Sequence, residues 1–361
     1  MNRKANLILF FLLFLISLSQ AQTNYTWTGS HSNNWNDSLN WTPKGIPQSA
    51  DNITSNQSNA IIILDQNRTV GACNLQNVYL NLKGNTLSVN NNASFNVVQT
   101  TSGSLSFAGA ISLNQVRVKA SINAVCSSLS IKNCVFDSTA YLERIGNSPN
   151  DSWQSNRFNG TVSIVQNSPQ NTWYLGATGD IGDAYTSDVN FEVKQGSLFI
   201  CYQSVSFFTG NINLSNAGDG ITLGDSTISP LTNMQANGKS ITATSFTSGM
   251  LSISKIRQQG ASSNSFQLTG TASLVINECD FGGNVNISTA GTDTTKAGVN
   301  ISNSMFRQST AITTPLANLQ RNHFNVSNTT GSQTQIIQVA VSNQNWIQRA
   351  NLISGTLITK Q

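Results

Sequence analysis

The chain has 361 residues, and only 9% of them are charged, against roughly a quarter in ordinary globular domains. Its 19 Lys and Arg face 15 Asp and Glu, a balance that argues against a nucleic-acid partner, which would need clustered positive charge. Asn, Ser, Thr and Gln supply the polarity instead, while 38% hydrophobic content in patterned runs argues against disorder and provides for a substantial core.

Residues 1–21 read as a cleavable secretory signal. Arg3 and Lys4 form a positive start, Leu7 to Leu18 is an uncharged and almost unbroken apolar run, and Ser19-Gln20-Ala21 offers small residues to a peptidase. The run is shorter than the roughly 20 apolar residues of a spanning helix. The first cysteine is Cys73, too distant for a lipid-anchored lipoprotein. Cleavage after Ala21 predicts an extracellular chain with no membrane span, carrying 17 cations against 15 anions.

Residues 22–52 hold Trp27, Trp35 and Trp41 together with Gly29, Gly45 and Pro47. Aromatic faces stack on sugar rings, so a glycan contact is one reading. The other is a hydrophobic cap sealing the first coil of a repeat fold. The cluster lies directly before the first apolar run, Ile61 to Leu64, and this position favours the cap.

From residue 53 to 361 short runs alternate with period two, as in Val78 to Leu82, Leu105 to Phe107, Val162 to Ile164, Ile212 to Leu214 and Leu251 to Ile253. That period means strands with one buried face, and helical patterning is nearly absent. Three segments align without gaps: Leu129 to Phe136, Leu274 to Phe281 and Val299 to Phe306. Each reads apolar-x-Ile, a polar turn, then Phe. Shorter echoes end at Phe158 and Phe324, and Phe246, Phe266, Phe281, Phe306 and Phe324 follow at roughly one solenoid coil apiece. The expected fold is all-β, a single elongated right-handed parallel β-helix with an N-terminal Trp-rich cap. Coils of about 22 residues rising about 4.8 Å each give a rod of roughly 65 Å. A β-sandwich array is the rival, but it does not explain the recurring Phe motif.

Residues suited to chemistry are few. Cys73, Cys126, Cys134, Cys201 and Cys279 are odd in number and match no metal or disulfide spacing, so small core residues are favoured over disulfides. Asp180, Asp183 and Asp188 lack the ligand spacing of a calcium loop and read as a solvated turn. His31 and His323 lie in no nucleophile motif. Sequons such as Asn24, Asn52, Asn159 and Asn286 follow from the Asn, Ser and Thr content. No catalytic, cofactor or metal site is expected.

The motifs Trp27-Thr-Gly29, Asn34-Trp35, Asn40-Trp41, Gly45-Ile-Pro47 and Asp51-Asn52 resemble the tryptophan-rich start of many secreted bacterial β-helix proteins. Phe158-Asn-Gly160, Tyr174-Leu-Gly176, Phe208-Thr-Gly210, Gly220 to Gly224 and Leu268 to Ala272 are similar to repeat tracts of large surface proteins of the Bacteroidota. The resemblance implies a secreted or cell-surface β-helix protein and carries no catalytic residue to transfer. Many such proteins end in a sorting domain, and none is recognised before Gln361. The expected function is a non-enzymatic, adhesin-like interaction module with extracellular glycans or surface polymers as partners. A polysaccharide lyase or hydrolase on the same scaffold is one alternative, and a structural spacer is another. A group of Asp or Glu with Lys or Arg on one exposed strand face would favour the enzyme. No such group is visible in the sequence, and only convergence across coils would make one.

Overall fold

A computed structural model describes residues 22–308 and 310, apart from 147, 149–150, 177–180, 226, 228–233, 238 and 292–297. Of 170, 234–237 and 289–291, and of the strands at 311–314, 323–331, 335–339, 346–354 and 357–360, it describes the backbone. The expected signal peptide, Asp180 and the side chain of His323 lie outside the described residues.

The chain winds as a parallel β-solenoid with three faces to a coil. The first coil shows the pattern: Asn52–Ser55 on the first face, Ala60–Ile63 on the second, Arg68–Val70 on the third. Each strand pairs in parallel with its counterpart one coil on, as Ile53 with Cys73, Ile62 with Leu80 and Val70 with Val89. Alternation turns Ile53, Ile62, Leu64 and Val70 inward, where they are buried, and their polar neighbours outward. Apart from a 3-10 turn at Ser38–Asn40, no helix occurs among the described residues, and none is long and apolar enough to cross a membrane.

The corner between the first and second faces has a fixed backbone device. Asn59, Asn77, Val97, Gln115, Asn133, Ser155, Lys255, Glu278 and Asn303 occupy it with φ between 50° and 58°. One left-handed residue turns the chain sharply while keeping the register on both sides. Asn tolerates that region at small cost, which explains its frequency here. The recurring motif of the sequence is this corner: Leu129 and Ile131 lie on the first face, Asn133 turns, and Phe136 enters the second. Leu274, Ile276 and Phe281 stack in register on Val299, Ile301 and Phe306.

The longer Phe series is distributed differently from its spacing. Phe281 and Phe306 share the second face, Phe246 and Phe266 belong to the third, and Phe324 pairs with Val299 on the first. Coil length varies too much for a linear count to follow one face. Leu105 pairs with Ile122, 17 residues on, and Ile221 with Leu251, 30 residues on. Register shifts also interrupt some pairings, as between Asn167 and Thr172 and between Leu214 and Ser215.

Inside the second face Phe136, Phe158, Tyr185 and Phe208 stack on successive coils at 4.8, 5.1 and 4.6 Å, with planes within 10°. Such pairs add about 0.5–1.5 kcal/mol each beyond their burial. Farther along the same face the ladder is interrupted by Gln258, whose amide exchanges hydrogen bonds of 2.7 and 3.0 Å with Asn264. Gln258 also donates to the carbonyls of Lys239 and Ser262, so this buried pair is satisfied.

All five cysteines are free and buried. Burial pushes the thiols of Cys134, Cys201 and Cys279 up to about 12, and Cys126 likewise, with Asp151 and Glu143 adding to the effect. An ordinary thiol titrates near 9.0. Below that pH both folded and unfolded chains keep the protons and the contribution to stability is intact. Above it the unfolded chain releases protons that the fold retains, so stability falls as pH rises from 9 toward 12. The native protein should therefore resist alkylation at pH 8 while all five thiols react in urea. A cysteine alkylated at its urea rate in the native protein would contradict this placement.

Candidate functional site

The tryptophan cluster is interior. Trp27, Trp35 and Trp41 are at most 1% exposed. Trp41 meets each of the others edge-on at 4.9 Å, and its indole Nε1 donates to the carbonyl of Trp35 at 2.8 Å. The segment closes the end of the solenoid from two sides. Asn24–Thr26 adds a parallel strand beside Asn52–Thr54, and Trp35 donates its backbone N–H to Ile63. The outer edge is finished by a short antiparallel pairing of Thr26 and Trp27 with Thr42 and Trp41, followed by Pro43, which has no N–H to offer another strand. No face of these rings is presented to a sugar.

Exposed aromatics lie elsewhere, at Tyr79, Phe207 and a cluster around Tyr174. Tyr174, Phe199 and Tyr202 touch one another on the outside of the first face. Tyr174 stands 5.9 Å from Phe199 and 4.6 Å from Tyr202, and Phe199 is 5.1 Å from Tyr202. Tyr174 is 46% exposed. Register aligns Tyr174 with Phe199 and Phe199 with Thr222, so hydroxyl-bearing residues continue the row. Tyr202 is held by its N–H bond to the carbonyl of Leu175 at 2.9 Å. Gly176 lets that loop pass, since a Cβ there would collide with the Tyr202 carbonyl. The sequence carries a signal for this group: Trp173-Tyr174 and Leu198-Phe199 are large apolar pairs on alternating strands, and one member of each must face out.

Rows of small polar side chains cover the outer faces. Thr54, Asn74, Ser94, Ser112 and Ser130 align on the first face, one per coil. Ser163, Asn190 and Asn213 align on the third, where Asn213 donates to Asn190 at 2.9 Å. These flat uncharged rows offer hydroxyl and amide groups at the strand-to-strand interval of about 4.8 Å.

Charged groups distant in sequence do converge across coils, the grouping that the enzyme alternative needs and that sequence spacing did not reveal. On the second face Arg117 and Asn159 bind Asp137 at 2.8 and 2.7 Å, and Arg157 binds Asn159 at 2.8 Å. Farther along, Arg307 grips both oxygens of Asp280 at 2.7 Å while Arg257 stands 4.0 Å away. At the third face Glu143 accepts from Tyr141 at 2.6 Å, Asn167 at 2.8 Å and Lys194 at 3.1 Å. Burial raises the Asp137 and Glu143 carboxyls, but these hydrogen bonds outweigh it and hold both below their ordinary values. They are anionic acceptors at neutral pH, without a proton to donate to a leaving group.

Of the acidic trio of the sequence, Asp183 and Asp188 separate. Asp183 is 2% exposed and not on a solvated turn. It accepts from the backbone N–H of Asn156 at 2.8 Å, from the Trp153 indole and from the Tyr185 hydroxyl at 3.3 Å. Asp188 is a surface turn residue accepting from Asn211 at 2.8 Å. His31 binds Asp37 at 2.6 Å; this bond, with those from Ser32 and Leu39, lowers the Asp37 carboxyl and closes a surface turn. Among the described residues no group of three or more His, Cys, Asp or Glu is placed to hold a metal ion.

The fold thus defines a parallel β-solenoid whose outer faces are largely polar, with exposed aromatics at Tyr79, Phe207 and the Tyr174 cluster. No family model matches the chain, and neither a curated protein nor a solved structure does.

Proposed function

We propose that this is an extracellular, adhesin-like module that binds glycans without cleaving them, with Tyr174, Phe199 and Tyr202 as the sugar-stacking site. The observation that carries the reading is a cluster of three mutually touching aromatics, with Tyr174 exposed and Phe199 and Tyr202 part-exposed, at the edge of a sheet face. Aromatic faces are apolar yet accept the C–H faces of sugars, while hydroxyl and amide neighbours bond the sugar's own hydroxyls. Rings locked by mutual contact lose little freedom on binding. The exported location follows from the signal-like start of the sequence.

The test is binding to a glycan array and to immobilised neutral polysaccharides. Tyr174→Ala should weaken retention about tenfold, on the order of 1.4 kcal/mol, while the chain stays folded, because Tyr174 is half exposed and outside the core. Wild-type protein that binds no glycan would remove this reading and leave the spacer, and a variant that binds as well as wild type would remove the aromatic cluster as the binding site.

A further inference from the structure

The second face differs from the other two in charge. Its outward positions from Arg117 to Arg307 carry Arg117, Lys119, Arg157, Arg257 and Arg307 against only Asp137 and Asp280. The cations form two stations, with uncharged Ala184 and Phe207 on the coils between. In the upper station two guanidinium groups flank one carboxylate. Asp280 engages Arg307 through both oxygens, and Arg257 approaches only to 4.0 Å. Arg257 and Arg307 are 48% and 51% exposed. They open onto a cavity of about 500 Å³ lined also by Gln259, Gly260, Gly282 and Gln308. In the lower station Arg117, 54% exposed, and Arg157 share Asp137 directly and through Asn159.

We propose that this face binds an acidic polysaccharide, each station taking one carboxylate or sulfate group of the polymer. The inference rests on the reading of the molecule as a glycan-binding rod and adds a second, charge-selective face. Guanidinium forks match the planar geometry of carboxylate and the oxygens of sulfate. Within each station the aspartate orients the arginines, and cationic charge remains in excess. Six register steps separate Arg117 from Arg257, or about 29 Å at about 4.8 Å a step. A single sugar cannot reach both stations, while a polymer can. Its affinity then grows by effective concentration and not by new contacts.

The experiment passes the full chain over immobilised polygalacturonate, with dextran sulfate, neutral dextran and duplex DNA in parallel. Wild-type protein should be retained at low salt and released as rising salt screens these exposed charges. R257Q/R307Q and R117Q/R157Q should each weaken retention about tenfold, and the quadruple variant about a hundredfold, with the β-sheet circular dichroism of wild type retained. Preference for polygalacturonate over dextran sulfate identifies carboxylate as the ligand group, and the reverse identifies sulfate. Retention of the quadruple variant at the wild-type level, or equal retention of wild type on DNA, would overturn the proposal. Tyr174→Ala separates the two surfaces: it should lose neutral glycan and keep polygalacturonate. If Tyr174→Ala leaves neutral-glycan binding intact, only the aromatic reading fails; retention by the quadruple variant fails only the charged face.

Discussion

Trp35→Ala should lose about 3–5 kcal/mol of stability and associate end to end. Trp35 is fully buried at the open end of the solenoid and packs edge-on against Trp41 at 4.9 Å. Its indole Nε1 has no hydrogen-bond partner, so truncation removes packing alone. The cavity would open against Trp41 and the first coil. A solenoid is stabilised by contacts between neighbouring coils, so loss of the terminal one frays the next. The backbone of the first coil would then become a free strand edge, which recruits other chains. Differential scanning calorimetry and light scattering read both effects. A variant that melts like wild type but loses glycan binding would make the cluster a ligand site and not a cap.

Asp183→Ala should be comparably damaging, by about 3–5 kcal/mol, because each buried polar group left without a partner costs about 1–3 kcal/mol. Its carboxylate gathers three donors: the Asn156 backbone N–H, the Trp153 indole and the Tyr185 hydroxyl. The corner column explains why. Asn156, Asp183 and Ser206 occupy equivalent inward corner positions, and each side chain accepts from the backbone N–H one coil before it, at Cys134, Asn156 and Asp183. Tyr185 also belongs to the aromatic ladder, so a displaced ring would disturb Phe158 and Phe208. Asp188→Ala, on an exposed turn, is the control and should cost about 1 kcal/mol or less. Equal thermal shifts for the two variants would contradict the structural role of Asp183.

The two aspartates show how far sequence patterning reaches. Period-two alternation identifies strands, and the apolar-x-Ile-turn-Phe motif identifies the corner with its left-handed residue, at Asn133 and Asn303. The order and spacing of Trp27, Trp35 and Trp41 before the first strand place a plug there, and these residues are buried. What patterning misses depends on which coil lies above which. Asp183 and Asp188 are equally polar in sequence, yet one corner turns inward and the other outward. Tyr174 and Phe199 become neighbours only because the intervening loop length brings their strands into register. Arg257, Asp280 and Arg307 meet for the same reason. Corner insertions of unequal length hide that register from a linear reading, as the scattering of Phe246, Phe281 and Phe324 over three faces shows.

The claim that the rod binds glycans without cleaving them is tested most directly by one incubation. Purified protein is mixed with a panel of neutral and acidic polysaccharides, and retained protein is measured together with new reducing ends and unsaturated uronate absorbance. The account predicts retention on at least one polymer, reduced about tenfold by Tyr174→Ala or by R257Q/R307Q according to the polymer's charge, with no new chain ends over time. A steady rise in reducing ends or in unsaturated product, abolished by mutation of Glu143 or Lys194, would make the molecule an enzyme and contradict it.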